Sequence, residues 1–253
     1  MKLYLKNHFI EKSEPLIMGI LNITPDADII DVGGESTRPG AGQLSPEEEI
    51  DRVLPIIEKI KEELEVLVSI DTSKADVARL AVEEGGADMV NDISALQFDE
   101  HMAATVAELN VPVALMHIKG TPENMQKDPF YVDVIGEIND YFQQRIDFAL
   151  SHGIKKEKII LDPGIGFGKR LEDNVAIIKN LKRFGEFELP ILVGVSRKSF
   201  LGRLSGEIVP EKRLAETITA NVLAVLNGAA ILRVHDVEAT VKAMKILRCL
   251  SDF

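Results

Sequence analysis

An α/β fold of the (β/α)8 barrel type is what this sequence predicts, and three observations predict it. Short Val- and Ile-rich runs alternate with longer amphipathic stretches along the chain. The apolar runs are continuous rather than alternating, as in parallel strands buried on both faces. There are eight of them, and polar residues gather where each one ends. A length of 253 residues suits such a barrel. An open doubly wound sheet is the structural alternative.

Residues 1–14 are expected to form a small hairpin that plugs the barrel floor. The predicted strands are 16–23, 28–32, 66–70, 89–93, 113–117, 159–162, 191–195 and 231–234. A first helix starts at Ser45-Pro46-Glu47-Glu48, with Ser as N-cap, Pro at the first position and acids in the first turn. Further helices are predicted over 74–84, 100–109, 132–152, 172–184, 211–227 and 237–250. Several of them end near glycines, such as Gly85, Gly153 and Gly228. One spacing does not fit. Only Thr24-Pro25-Asp26-Ala27 separates the first two strands. Parallel neighbours need a crossover of roughly ten or more residues, normally with a helix. Either the two strands are not parallel neighbours, or the first crossover loop and helix are absent from the chain after Asp26; the second reading is preferred.

Composition narrows the function. Hydrophobic residues make up 45% and charged residues 28%, which is neither disordered nor fibrous. No apolar run approaches the roughly 18 residues that span a bilayer. Residues 1–15 carry charges throughout and lack the apolar core of a signal peptide. Cys249 is the only cysteine, which excludes an internal disulfide and a Cys-based metal cage. A reducing cytoplasm is the natural reading. A net charge of −12 argues against a general nucleic-acid surface, though not against a locally basic site for a small anion.

In a barrel of this kind the site lies at the C-terminal ends of the strands. The first strand is followed by Asn22-Ile23-Thr24-Pro25-Asp26, the second by Gly33-Gly34-Glu35-Ser36-Thr37-Arg38-Pro39-Gly40. The next three end in Asp71-Thr72-Ser73, Asn91-Asp92 and Met116-His117. The last three end in Asp162-Pro163-Gly164-Ile165-Gly166-Phe167-Gly168-Lys169, Ser196-Arg197-Lys198-Ser199 and Arg233 with His235. Two chemistries are visible. Asp71, Asn91 and Asp162 suit a flat heterocycle with a guanidine-like edge, which presents paired N–H donors, and Lys198 can donate to a ring carbonyl or nitrogen. Arg233, His235, Arg38 and Asn22 suit a phosphate or diphosphate, with or without Mg2+, and Asp26 is a candidate partner for a metal or a closing loop. Plainer readings stand beside these. A lone Asp at a strand end is more often a helix cap or turn former. Gly164, Gly166 and Gly168 resemble a phosphate turn, yet after Asp-Pro they can simply let the backbone turn tightly. His117 can be a buried, hydrogen-bonded residue, His101 and His152 solvated, and the segment 58–65 a solvated acidic helix face.

The segments MGILNITPD, DVGGESTRPGA, SIDT, VNDIS, MHIKGTPENMQ, LDPGIGFGK, GVSRKSFLG and RVHDV together resemble the dihydropteroate synthase family, in the family's order and over nearly the whole chain. The resemblance implies one pterin-binding TIM-barrel domain over 1–253. It implies a transferase that joins 6-hydroxymethyl-7,8-dihydropterin diphosphate to p-aminobenzoate, releasing diphosphate and giving 7,8-dihydropteroate in folate biosynthesis. By similarity Asp71, Asn91, Asp162 and Lys198 would bind the pterin, with Ile93, Met116 and Phe167 lining its pocket. Asn22, Arg233 and His235 would handle the diphosphate and Mg2+. Ser199, Thr37, Arg38 and Pro39 would surround p-aminobenzoate, where sulfonamides would also bind. The resemblance also suggests a homodimer through helices near the C-terminal end. The chain departs from the family pattern after Asp26, where members continue with Ser-Phe, a Gly-rich loop and a helix. Three other functions compete. A pterin-binding methyltransferase would share Asp71, Asn91 and Asp162 but would not need Lys198 beside Ser199 or the Arg233–His235 pair. A metal-dependent barrel hydrolase normally carries His-x-His on its first strand, which 16–23 lacks. A non-catalytic pterin-binding or scaffold protein becomes serious if the segment after Asp26 is truly missing.

Overall fold

The computed structural model describes residues 1–6, 8–20, 26–36, 42 and 44–250. Two short strands, β1 (Lys2–Tyr4) and β2 (Phe9–Glu11), form an antiparallel hairpin. Eight parallel strands follow: β3 (Leu16–Ile20), β4 (Ile29–Gly33), β5 (Leu67–Asp71), β6 (Met89–Asp92), β7 (Val113–Met116), β8 (Ile159–Asp162), β9 (Leu192–Val193) and β10 (Ile231–Val234). They pair in the order β8-β7-β6-β5-β4-β3-β10-β9. A parallel bridge between Leu161 and Ile191 joins β8 to the residue before β9 and completes the ring. The fold is a TIM barrel.

Residues alternate between two faces along each strand. Leu16, Met18, Ile29, Met89, Ala114, Ile160, Leu192 and Ile231 fill the lower barrel interior. Ile17, Ile30, Val32, Val68, Ile70 and Val90 instead pack outward beneath the helices. Both faces are covered, hence the unbroken apolar runs. Leu3 and Leu5 of the N-terminal hairpin join the inner cluster, 1% and 4% exposed, so this segment plugs the barrel floor. Lys158 fastens it by donating to the Leu5 and Asn110 carbonyl oxygens.

The helices are α1 (Pro46–Glu63), α2 (Ala75–Glu83), α3 (Met102–Leu109), α4 (Val134–Ser151), α5 (Leu171–Lys179), α6 (Ser199–Ser205), α7 (Leu214–Leu226) and α8 (Val237–Leu250). The predicted start of α1 is a capping box. Ser45 Oγ accepts from the Glu48 N–H at 3.2 Å, and the Glu48 carboxylate accepts from the Ser45 N–H at 2.9 Å. Three expectations change. The stretch 172–184 splits into α5 and a 3-10 segment, Leu181–Phe187, because Asn180 breaks the α pattern. The stretch 211–227 begins as a 3-10 turn at Pro210–Lys212 before α7. The short helix α6 begins inside the segment GVSRKSFLG, which the sequence reading took for site residues alone, so β9 and β10 are joined by two helices.

Among the described residues no helix lies between β3 and β4, although these are hydrogen-bonded parallel neighbours. The connection is residues 21–28. Asp28 pins its far end: its N–H donates to the Ile17 carbonyl at 2.9 Å, and its carboxylate accepts from the Ile17 N–H and from Lys12. The neighbouring helices compensate, with α8 against β3 and α1 against β4. The outward side chains Ile17 and Ile30 therefore stay buried.

Candidate active site

The alternation that buries Ile29, Met89, Ile160 and Ile231 in the barrel floor turns the residues two positions on to the same interior, one layer nearer the mouth. Those residues are Asp31, Asn91, Asp162 and Arg233, and Asp71 sits beside Asn91 in register. Strand geometry thus gathers the predicted polar groups. Arg233 binds two carboxylates: Nε donates to Asp31 Oδ2 at 2.6 Å, and Nη2 donates to Asp71 Oδ2 at 2.8 Å. Asn91 Nδ2 donates to the same Asp31 oxygen at 3.3 Å. Asp162 Oδ1 accepts from the Gly164 N–H at 2.7 Å.

Burial sets the electrostatics. It pushes Asp71 up to about 7, helped by the charges of Asp31, Glu49 and Asp92 and opposed by Arg233. Burial also raises Asp162, against the pull of the Gly164 N–H, Lys198, Lys169 and Arg233. It lowers Lys198 to about 8, although Asp162 favours its charged form. For Arg233 the effect of burial is more than offset by Asp31 and Asp71, so the guanidinium stays charged.

A second group forms an apolar wall from Ile93, Met116, Ile118, Met125 and the partly buried Phe167. Lys198 lies along it, with Nζ 4.5 Å from the Phe167 ring centre and donating to the Ile165 carbonyl. The glycine turn carrying Phe167 is a tight backbone turn: φ is +64° at Gly164, +83° at Gly166 and +63° at Gly168. It is stapled from several sides. Asn174 Oδ1 accepts from the Gly166 N–H at 2.6 Å, Gln126 donates to Gly166 O at 2.8 Å, and Tyr131 donates to Gly168 O at 2.8 Å. Lys169 Nζ sits 2.9 Å from His117 Nδ1 and donates to His117 O and Phe167 O. Burial pushes both His117 and Lys169 well below their usual ranges. His117 is thus the buried, hydrogen-bonded residue of the plainer reading.

A third group brackets the ends of β9 and β10. Ser196 Oγ accepts the His235 backbone N–H at 3.2 Å and lies 3.0 Å from His235 Nδ1. Arg197, at φ +58°, donates twice to Asp236, at 3.1 and 2.7 Å. This clamp fixes Lys198 on one side and His235 on the other. Ser199 opens α6 and is exposed. Near the second strand, Lys74 Nζ bridges Glu35 and the buried Glu49, and Glu35 also accepts from the Leu44 N–H at 3.2 Å.

The structure does not bring every predicted residue to this mouth. Asp26 is exposed, its charge acts on Lys242 of α8, and no described hydrogen bond ties it to the Arg233 cluster. Asn22, Thr37, Arg38 and Pro39 lie outside the described residues. Asp92 is a turn former, accepting from the Ser94 and Leu96 N–H groups at 2.8 and 2.7 Å. Sequence reasoning passed over Asp31, and it placed Ser196 and Lys169 at the strand ends without giving either a role. The signal for Asp31 was present: it stands two residues after inward Ile29 and two before Gly33.

Comparison with known proteins identifies the family. The model of the family described as "Pterin binding enzyme" matches residues 23–235. The dihydropteroate synthase of Escherichia coli K12 is 43% identical over 272 aligned positions, covering 98% of this chain and 95% of the relative. That of Clostridium beijerinckii is 43% identical, covering 91% and 92%. Among solved structures, the Yersinia pestis dihydropteroate synthase with a sulfonamide drug superposes with TM-score 0.93 at 40% identity, covering 99% of both chains. The Xanthomonas albilineans dihydropteroate synthase in complex with 7,8-dihydropteroate gives 0.89 at 37%, covering 98% of both. The 272 aligned positions exceed the 253 residues here, so the E. coli relative carries at least nineteen residues without a counterpart. That is enough for a loop and a helix, the element lacking between β3 and β4. Sequence, barrel and polar mouth converge, and the chain belongs to the dihydropteroate synthase family of pterin-binding enzymes.

Proposed function

We propose that this chain joins 6-hydroxymethyl-7,8-dihydropterin diphosphate to p-aminobenzoate, giving 7,8-dihydropteroate and diphosphate for folate biosynthesis. The observation that carries the reading is the single mouth in which a charged Arg233 stands beside Asp71 while Asp162 and Lys198 act on one another. One end suits an anion and the other a polar heterocycle.

Asp162 and Asn91 take the guanidine-like edge of the pterin, and Asp71 lies beside Asn91 at the same level. Lys198 exchanges its bond to the Ile165 carbonyl for the ring carbonyl or nitrogen. Ile93, Met116 and Phe167 cover the ring faces. Arg233 and His235 take the diphosphate, with Ser196 orienting the imidazole. The bond between the pterin methylene carbon and the diphosphate oxygen breaks, and its electron pair leaves with the diphosphate. Positive charge spreads into the electron-rich ring, where the pocket carboxylates favour it. The arylamine nitrogen then attacks the methylene carbon and gives up a proton. No protein nucleophile takes part.

Thr37, Arg38, Pro39 and Ser199 are proposed to surround p-aminobenzoate, where a sulfonamide would compete. Mg2+ characteristically binds through one or two protein groups plus substrate phosphates. Among the described residues no three His, Cys, Asp or Glu side chains gather as a metal site. By the family resemblance the ion would be held by Asn22 and the diphosphate itself, where it would neutralise departing charge. We further propose a homodimer through α7 and α8, whose outer faces expose Leu223, Leu226, Ile246 and Leu250. No described helix is long and apolar enough to cross a membrane, and a cytoplasmic location is proposed with the small-molecule partners alone. Mixing pterin diphosphate with p-aminobenzoate tests the reading. Diphosphate and dihydropteroate should appear in equal amounts; pterin binding without diphosphate release would favour a binding protein or a methyltransferase.

A further inference from the structure

We propose that Asp31 is a positioning residue that couples the two ends of the site, fixing the Arg233 guanidinium and the Asn91 amide at one spacing. The proposal rests on the reading of the site given above, with Arg233 at the anion and Asn91 at the pterin.

Asp31 lies on β4, two strands from β6 on one side and two from β10 on the other in the pairing order. Its side chain is 0% exposed, so it lies beneath the surface that a substrate would touch. A single oxygen, Oδ2, receives a donor from each flank: Arg233 Nε at 2.6 Å and Asn91 Nδ2 at 3.3 Å. The Nε bond, with the second bond from Nη2 to Asp71, fixes both the position and the plane of the guanidinium. Of its five N–H groups, three then remain for an incoming anion among the described contacts. The other oxygen, Oδ1, is buried with no hydrogen-bond partner among the described residues. Leaving a carboxylate oxygen unpaired in a barrel core is unfavourable. A residue present only for packing would be apolar here, as Ile29 is one layer below. The unpaired oxygen is tolerated because the paired one joins the two halves of the mouth.

Coulomb's law alone gives the opposite expectation for one measurement. If Asp31 were merely a negative charge near an anion site, removing it would tighten diphosphate binding. If it positions Arg233, removing it lets the guanidinium close fully onto Asp71, and diphosphate binding weakens. Calorimetric titrations of inorganic diphosphate and, separately, of 6-hydroxymethylpterin separate these cases, with melting temperatures recorded alongside. Asp31→Ala should weaken diphosphate about tenfold and the pterin about fivefold, the loss of a short ion-pair hydrogen bond from Arg233 and a longer one from the uncharged Asn91 amide. Asp31→Asn keeps an oxygen at the Oδ2 position for both donors and should restore each affinity to within about threefold of wild type. A general structural defect would not be rescued so selectively. Should Asp31→Ala fail to fold, Asp31→Ser, too short to reach Arg233, carries the same expectations. Tighter or unchanged diphosphate binding, or loss at one ligand only, overturns the coupling. Wild type that binds neither ligand overturns the reading of the site itself.

Discussion

Three glycine-to-alanine substitutions separate the cost of backbone conformation from the cost of space and from the effect on function. Gly206 caps α6 at φ +88°, and a Cβ there meets nothing within 4 Å. Gly206→Ala should lose about 1–2 kcal/mol, the left-handed penalty alone. Gly166 has nearly the same backbone, φ +83°, but its Cβ would stand 3.2 Å from Lys198 Cδ. That neighbour is a flexible side chain and yields, so Gly166→Ala should again lose about 1–2 kcal/mol. The difference appears in function, because Lys198 is displaced from the Phe167 ring, and pterin affinity should fall about fivefold. Gly164 has φ +64°, and its Cβ would overlap the His117 carbonyl oxygen, a backbone atom held in place by the His117 N–H bond to Asp162 O. Overpacking adds about 1–3 kcal/mol to the dihedral penalty, so Gly164→Ala should lose roughly 2–5 kcal/mol. Urea unfolding at unchanged slope measures all three. Equal losses at Gly164 and Gly206 would refute the packing of the turn against β7, and an unchanged pterin affinity in Gly166→Ala would refute the placement of Lys198.

Lys198→Ala should cut pterin affinity and turnover by about tenfold, the loss of a hydrogen bond from a charged donor; wild-type kinetics in that variant would remove its assigned role. With Lys198 lowered to about 8, its ammonium is lost as pH rises through that value, so pterin binding should weaken above it and the inflection should vanish in Lys198→Met. Leu3→Ala opens a cavity in the floor plug and should destabilise by roughly 2–5 kcal/mol while leaving the KM of both substrates unchanged; a shifted KM would mean that the plug communicates with the mouth. Inserting a Gly-rich loop and a helix after Asp26 should raise turnover by about tenfold with little change in pterin affinity, the signature of a segment acting on the transition state. Unchanged turnover would mean that the short first crossover suffices.

Much of this was legible from residues alone, for a definite reason. Strands buried on both faces must be apolar through their middles, so β8 and β10 were read to the residue. Polar residues such as Asp162 and Arg233 could then stand only at the mouth. What escaped were interactions that depend on side-chain reach. The run 113–117 overran by one residue because His117, although buried, leaves the strand to bond with Asp162 and Lys169. Helix α6 was missed because Ser199 and its neighbours carry a chemistry-rich motif that drew attention from their helical spacing. Asp31 was missed because it follows two isoleucines in a strand middle, and only its partnership with Arg233 shows why an acid is there.

The shifted groups show how the site is prepared for its ligand. Asp71, raised to about 7, is easiest to bury protonated; its contribution to stability is full below the unfolded aspartate range and is lost as pH rises through about 7. Lys198, depressed to about 8, behaves oppositely; its contribution is full above the unfolded lysine range and is lost as pH falls through about 8. Near neutral pH Lys198 is mostly charged and Asp71 partly so, each in a form that burial disfavours, with Asp162 and Arg233 as the respective compensation. A pterin diphosphate supplies what the mouth lacks: N–H donors for the carboxylates, an acceptor for the lysine and an anion for the arginine. Binding energy is then concentrated on the groups closest to the bond that breaks, while the apolar floor and its plug hold the strands that carry them. The strain is centred on the mouth because the interior side chains one layer below Asp31, such as Ile29, Met89, Ile160 and Ile231, are apolar, and the floor is packed for stability.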